Sequence, residues 1–261
     1  MTDQKFSADY AVLGVGSIAE AIVTGLCDGV DAPPRVVLSP RSRKRSARLA
    51  ERYPTVRVAA DNQQAASSAA TVLLCLRPQD AEAALASIRL DQRQRVVSAM
   101  ASFSSEHLAQ LIGPVAEISR AIPAAAVAER SSVTPLYPPG SAAQQLFDGL
   151  GGSMPLASEN LLDATSVASA TVAAHLAYLE TISVWLAGQG VELDDAQRLL
   201  ASVFAGATAG FAHSTDFTAL ARQHATPGGL NEHLVDALRA AGLYDTVAHC
   251  LDDMLAHLST S

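Results

Sequence analysis

Aromatic side chains are scarce: one tryptophan, five tyrosines and six phenylalanines make up 5% of 261 residues. The core must come from the Ala, Val and Leu behind a 49% hydrophobic composition, which favours helices and parallel strands over an antiparallel sandwich. Cysteine is nearly absent. Cys27, Cys75 and Cys250 sit singly in apolar runs without a C-x-x-C spacing, which reads as buried thiols rather than disulfides or metal ligands. His107, His175, His213, His249 and His257 likewise show no ligand spacing, so no metal site is expected. Positive charge is in deficit, 18 Lys and Arg against 26 Asp and Glu, which argues against a nucleic-acid partner. No apolar run reads as long enough to span a membrane, and the polar start MTDQKFSADY lacks a signal-peptide core. A cytoplasmic protein without a membrane partner is the expectation.

What is present begins at Ala11-Val12-Leu13-Gly14-Val15-Gly16-Ser17-Ile18-Ala19, an apolar strand that breaks into glycines and then a helix. The pattern is G-x-G-x-x-A. Gly14 permits a tight turn, Gly16 lets backbone approach a pyrophosphate, and Ala19 replaces the third glycine at the helix–strand contact. The helix from Ile18 to about Cys27 would direct its positive dipole end at the phosphates. A second strand, Arg35–Leu38, ends in Ser39-Pro40-Arg41-Ser42-Arg43-Lys44-Arg45. NAD-selective enzymes place an acid here for the ribose 2′-hydroxyl; a hydroxyl followed by cations suits a 2′-phosphate, so NADP(H) is the expected cofactor. The bland alternative is a solvated start to the next helix.

Strand and helix patterns then alternate. Helices are expected at Ser42–Tyr53, Gln63–Ser68 (capped by Asp61-Asn62), Asp80–Ile88 and Ser104–Ile112. Strands are expected at Arg57–Ala59, Thr71–Leu76, Arg95–Met100, Val115–Arg120 and Ser131–Tyr137. This rhythm predicts a doubly wound α/β sheet of Rossmann type over residues 1–157. Residues 158–261 read as all helix, with tracts at Glu159–Gly188, Leu193–His213, Phe217–His224, Leu230–Ala241 and Tyr244–Leu258. The first tract is apolar on more than one face, so a dimer through these helices is expected, with Trp185 read as core. Thr226-Pro227-Gly228-Gly229 precedes a helix, where free amides, the dipole and a hydroxyl suit a carboxylate. The alternative there is a simple cap with Pro227 as the first helical residue.

Six segments in this order and spacing resemble pyrroline-5-carboxylate reductases. They are G-V-G-S-I-A-E-A-I at Gly14–Ile22, S-P-R-S at Ser39–Ser42, L-R-P-Q at Leu76–Gln79, S-A-M-A-S at Ser98–Ser102, S-R-A-I-P at Ser119–Pro123 and T-P-G-G at Thr226–Gly229. The resemblance implies a Rossmann domain, a helical dimerisation domain and reduction of a cyclic imine carboxylate to proline with NAD(P)H. It also implies an active site between the dinucleotide domain and helices at the dimer interface. By position it assigns Gly14, Gly16, Ser17, Ile18 and Ala19 to the pyrophosphate, Ser39 and Arg41 to the 2′-phosphate, and Asn62 to the adenosine ribose. Leu76, Arg77 and Pro78, with Ala99, Met100 and Ala101, fall at the nicotinamide ribose. Thr226, Gly228, Gly229, Leu230 and Asn231 fall at the substrate, with Thr226 and Asn231 nearest the chemistry.

Three substrate-side segments depart from the family pattern. Pro123 is followed by Ala124-Ala125-Ala126 instead of Asn, Ala168-Ser169-Ala170-Thr171-Val172 stands for G-S-G-P-A, and the glycine loop ends in Leu230-Asn231 rather than two threonines. His224 and His233 are the titratable groups the sequence suggests near that loop, both reading as helix-end histidines. Two other readings use the same cofactor half: an NADP-binding sensor or scaffold without catalysis, and a reductase of a carbonyl, deazaflavin or unrelated imine partner.

Overall fold

In a computed structural model, described over residues 6–258, the chain divides into two compact units between Ser166 and Val167. Residues 1–5 of the polar start lie outside the described residues. The first unit is an eight-stranded sheet. Its strands are β1 (Ala8–Leu13), β2 (Val36–Leu38), β3 (Val56–Val58), β4 (Ala69–Leu74), β5 (Arg95–Ser98), β6 (Glu117–Ala121), β7 (Thr134–Tyr137) and β8 (Ser153–Pro155). Their order across the sheet is β3-β2-β1-β4-β5-β6-β7-β8, and every pair is parallel except β6–β7. Strand order reverses between β1 and β4, which puts a ligand crevice at their carboxyl ends.

The β runs are continuously apolar because both faces are covered. Successive side chains of β1 serve opposite sides: Val12 joins one core with Ile22, Leu38 and Phe147, while Ala11 and Leu13 join the other with Val72 and Leu108. Helices α1 (Ser17–Cys27), α2 (Arg43–Arg52), α3 (Asn62–Ser67), α4 (Pro78–Ala86), α5 (Ser105–Ile112) and α6 (Ala142–Asp148) flank the sheet. The expected caps form: Asp61 Oδ1 accepts the Gln64 N–H at 2.7 Å, and Ser104 Oγ that of His107 at 3.1 Å.

The structure adds what patterning did not show. The strand expected from Ser131 starts at Thr134 and runs antiparallel to β6. The Ala-rich link folds as a 3-10 turn, Ala125–Glu129, against α1, where a Cβ on Gly25 would strike the Val127 carbonyl oxygen. Helix α6 and strand β8 had no clear signal, since each is too short to show a period.

The tract expected as one helix from Glu159 is two, α7 (Glu159–Ser169) and α8 (Thr171–Gly188), broken at Ala170. Against the sequence expectation, Glu159–Gly188 is long and apolar enough, by length and composition, to cross a membrane. The sequence reading underrated it because Ser, Thr, His and Glu are scattered among its Ala and Leu.

The second unit is helical: α8, then α9 (Leu193–Thr208) with a 3-10 turn at Ala209–Ala212, α10 (Phe217–His224), α11 (Leu230–Ala240) and α12 (Leu243–Leu258). Helix α8 packs on α9, with the His175 ring 5.8 Å from Phe204. Trp185, expected in the core, is 63% exposed, and Val172, Leu176, Val184 and Val203 of α8 and α9 are exposed with it. One chain supplies too few neighbours to cover helices that are apolar all round.

Candidate functional site

The glycine turn ties three strand ends together. Gly14 has φ +87°, and its N–H donates to Ser39 Oγ at 3.0 Å. A Cβ there would lie 2.6 Å from the Cys75 carbonyl oxygen, and Cys75 is itself fixed by its N–H bond to the Leu13 carbonyl at 2.8 Å. Only glycine satisfies both the backbone angle and the space. Ser39 is buried rather than exposed to a ligand. Its hydroxyl braces Gly14, and its carbonyl accepts Ser46 Oγ–H at 3.0 Å.

Gly16 is the opposite case. No heavy atom lies within 4 Å of where its Cβ would be, and it starts α1 without a side-chain cap. No side chain caps the first-turn amides of α1; Ser17 is exposed, Ile18 is half-buried, and Ala19 is fully buried in the core.

Two cavities follow from this edge. One of about 400 Å³ is lined by Gly14, Gly16, Leu76, Arg77, Asp80 and Arg41. Another of about 760 Å³ is lined by Arg41, Arg43, Pro40, Asp61, Asn62 and Gln63. Arg41 lines both. The trough thus runs from the glycine turn to the end of β2, where Arg41 and Arg43 line it. This donor set fits a dinucleotide phosphate: open backbone amides at Gly16 and guanidiniums beside them.

Asp80 was not anticipated. It receives Arg41 Nη2 at 2.8 Å and Arg77 Nη2 at 2.7 Å. The hydrogen bonds from Arg77 and then Arg41 hold its carboxyl below the ordinary range. Pro78 opens α4, directing Arg77 to the end of β4.

Past β5, Ala99 N–H is held by the Leu74 carbonyl at 2.8 Å. Met100 is buried, and its N–H donates to Ser98 Oγ at 3.2 Å. The Ala101 carbonyl accepts Arg120 Nη2 at 2.8 Å. Arg120 is almost wholly buried and also bonds Glu159 at 2.6 Å and Asp163 at 2.9 Å, joining β6 and the 99–101 loop to α7. Burial pushes the Glu159 carboxyl up, but hydrogen bonds from Arg120 and Ser105, with the Arg120 charge, bring it below the ordinary range. The sequence signal for this node was weak, since β6 carries Glu117 and Ser119 beside Arg120 and no apolar run marks the arginine out.

The residues proposed for substrate lie in the second unit. Gly228 has φ +71°, and Gly229 caps α11, so Pro227 is not its first helical residue. A Cβ on Gly229 would lie 2.8 Å from the Thr226 carbonyl oxygen. Asn231 Nδ2 donates to the His224 carbonyl at 2.9 Å. The sequence reading passed over Glu232: its carboxylate accepts the Gly228 N–H at 2.6 Å. Leu230 is 90% exposed. His224 and His233 are exposed, and among the described residues no group of three or more His, Cys, Asp or Glu could hold a metal. Burial pushes the Cys75 thiol up to about 12.

Residues 9–102 match the family model described as NADP oxidoreductase coenzyme F420-dependent, and residues 159–260 match pyrroline-5-carboxylate reductase dimerisation. The chain is 31% identical to pyrroline-5-carboxylate reductase of Corynebacterium melassecola over 210 residues, covering 76% of this chain and 77% of the relative. It is 27% identical to pyrroline-5-carboxylate reductase 2 of Bacillus subtilis (strain 168) over 253 residues, covering 92% and 90%. The fold resembles the crystal structure of 1-pyrroline-5-carboxylate reductase from Streptococcus pyogenes with a TM-score of 0.78 at 22% identity, over 97% and 99% of the two chains. The second family match marks the exposed helices as a self-association domain. The chain belongs to the pyrroline-5-carboxylate reductase family, as an NAD(P)H-dependent oxidoreductase acting on carbon–nitrogen double bonds.

Proposed function

We propose that the protein, as a homodimer in the cytoplasm, uses NADPH to reduce a cyclic imine carboxylate, pyrroline-5-carboxylate or a close analogue. The observation that carries the cofactor half is the turn itself: Gly14 braced by Ser39, Gly16 open, and Arg41 at the join of the two cavities. Gly14, Gly16, Ser17, Ile18 and Ala19 would hold the pyrophosphate, Arg41 the 2′-phosphate with Ser39 bracing the turn beside it, and Asn62 the adenosine ribose. Leu76, Arg77, Pro78, Ala99, Met100 and Ala101 would border the nicotinamide ribose. When bound, the cofactor supplies the hydride.

This chain's residues need only bind and orient, because a protonated imine is already electrophilic. The Thr226 hydroxyl, the Gly228–Gly229 backbone, Leu230 and the Asn231 carboxamide are the groups proposed to hold the substrate. Neither Thr226 nor Asn231 is an acid, so their role is hydrogen bonding rather than proton supply.

A second reading is favoured by one observation. Glu232 already occupies the Gly228 amide, and Leu230 presents an apolar side chain where the family has a hydroxyl. That arrangement suits an imine lacking a carboxylate. NADPH oxidation followed with pyrroline-5-carboxylate, its six-membered analogue and a carboxylate-free 1-pyrroline decides between them. Turnover of the carboxylates with the higher kcat/KM supports the first reading, and preference for 1-pyrroline the second. Tight NADPH binding with no turnover of any imine would overturn both.

A further inference from the structure

Three charged side chains, one from the loop after β2 and two from the start of α4, meet at the glycine turn. Arg41 follows β2, and Arg77 and Asp80 follow β4, so one carboxylate bridges the strands on either side of β1. All three line the cavity that contains Gly14 and Gly16. The two arginines are 58% and 70% exposed, whereas Asp80 is 18% exposed and sits in the first turn of α4, its N–H bonded to the Arg77 carbonyl at 2.9 Å. The carboxylate is the shielded partner and the guanidiniums are the solvent-exposed ones.

We infer that Asp80 is a specificity-determining residue for the cofactor: it holds Arg41 when no 2′-phosphate is present and competes with that phosphate for the guanidinium, so it sets the preference for NADPH over NADH. The inference rests on Arg41 being the 2′-phosphate residue. A 2′-phosphate carries more charge than one carboxylate and takes arginine bidentately, so it can draw Arg41 away. Asp80 is not orphaned by the exchange, because Arg77 stays on it. The phosphate also meets Arg43, which lines the same cavity as Arg41 and makes no ion pair among the described residues. A ribose hydroxyl offers no comparable attraction, so with NADH the bridge stays closed.

The test is the dissociation constant for NADPH and for NADH, measured by fluorescence titration on the intact protein. Asp80→Asn frees Arg41 in advance and should raise the NADPH:NADH affinity ratio by about two- to fivefold, the range expected for an exposed ion pair. Asp80→Glu keeps the charge and should keep the ratio near wild type. Arg77→Gln leaves Asp80 to Arg41 alone and should lower the ratio; this variant decides the matter if Asp80→Asn does not fold. In an Arg41→Ala background, Asp80→Asn should have no effect on the ratio. Equal gains for both cofactors in Asp80→Asn, or a ratio shift that persists without Arg41, would overturn the inference. Failure of Arg41→Ala alone to lower the ratio would instead refute the 2′-phosphate reading on which it rests.

Discussion

At the scale of the residue, the two glycines of the turn do different work. Gly14 is held by the protein, through a positive φ and a carbonyl that leaves no room for a methyl. Gly16 has empty space around it, so its smallness serves something outside the chain. The consequence separates them. Gly14→Ala forces an L-residue to φ +87° against the Cys75 carbonyl and should cost about 1–2 kcal/mol of stability as well as weakening NADPH binding. Gly16→Ala should leave the urea-unfolding midpoint unchanged and weaken NADPH binding alone. Urea denaturation paired with NADPH titration reads both, and equal midpoint losses for the two variants would contradict the distinction. The motif was legible in the sequence because it is local. Ser39 was legible as a residue near the cofactor, but its use as a brace for Gly14 was not, since that bond spans 25 positions.

At the scale of the element, Arg120 couples β6, the 99–101 loop and α7 through one side chain. Its bonds to the two α7 carboxylates explain why α7 begins as part of the sheet-bearing unit although it is a helix in a helical half of the chain. Removing a buried cation strands Glu159 and Asp163 together. Arg120→Met should therefore cost about 3 kcal/mol at neutral pH, the lower end of the range for breaking a buried pair.

The pH dependence follows from Glu159. Its folded pKa is depressed, so the pair's contribution is complete above the unfolded carboxylate pKa and is lost as pH falls through the lower folded value. The stability gap between wild type and Arg120→Met should narrow across that acid window. Urea denaturation from neutral pH downward measures it, and a gap constant with pH would count against the pairing. Sequence patterning marked β6 as a strand and placed α7 inside one longer helical tract, and it left the link unseen, because it joins positions 39 and 43 apart.

At the scale of the whole molecule, the second unit leaves α8 and α9 with exposed Val172, Leu176, Val184, Trp185, Leu199 and Val203. A patch of this kind marks an association surface, and aromatic residues carry much of the energy at such sites. Trp185→Glu should weaken self-association and lower the mass seen by light scattering at micromolar concentration. A variant whose assembly is unchanged would remove Trp185 from the association surface. This also accounts for the reading of Trp185 as core: helical periodicity reports that a face is to be covered, and is silent on whether the cover comes from the same chain.

The sequence by itself determined the α/β half, the helical half, the glycine turn and the run of cations after β2. Each is written in adjacent residues: apolar runs of strand length, glycines at a strand end, and a helical period. The tertiary structure alone decided the partners of those groups. It gave Ser39 to Gly14, Asp80 to Arg41 and Arg77, Glu232 to the Gly228 amide, and Glu159 with Asp163 to Arg120. Most of these pairings join separate elements, where a hydrogen bond or ion pair depends on packing geometry and leaves no local period to read. Glu232 stands only four positions from Gly228, yet its bond depends on the positive φ that turns that amide toward it.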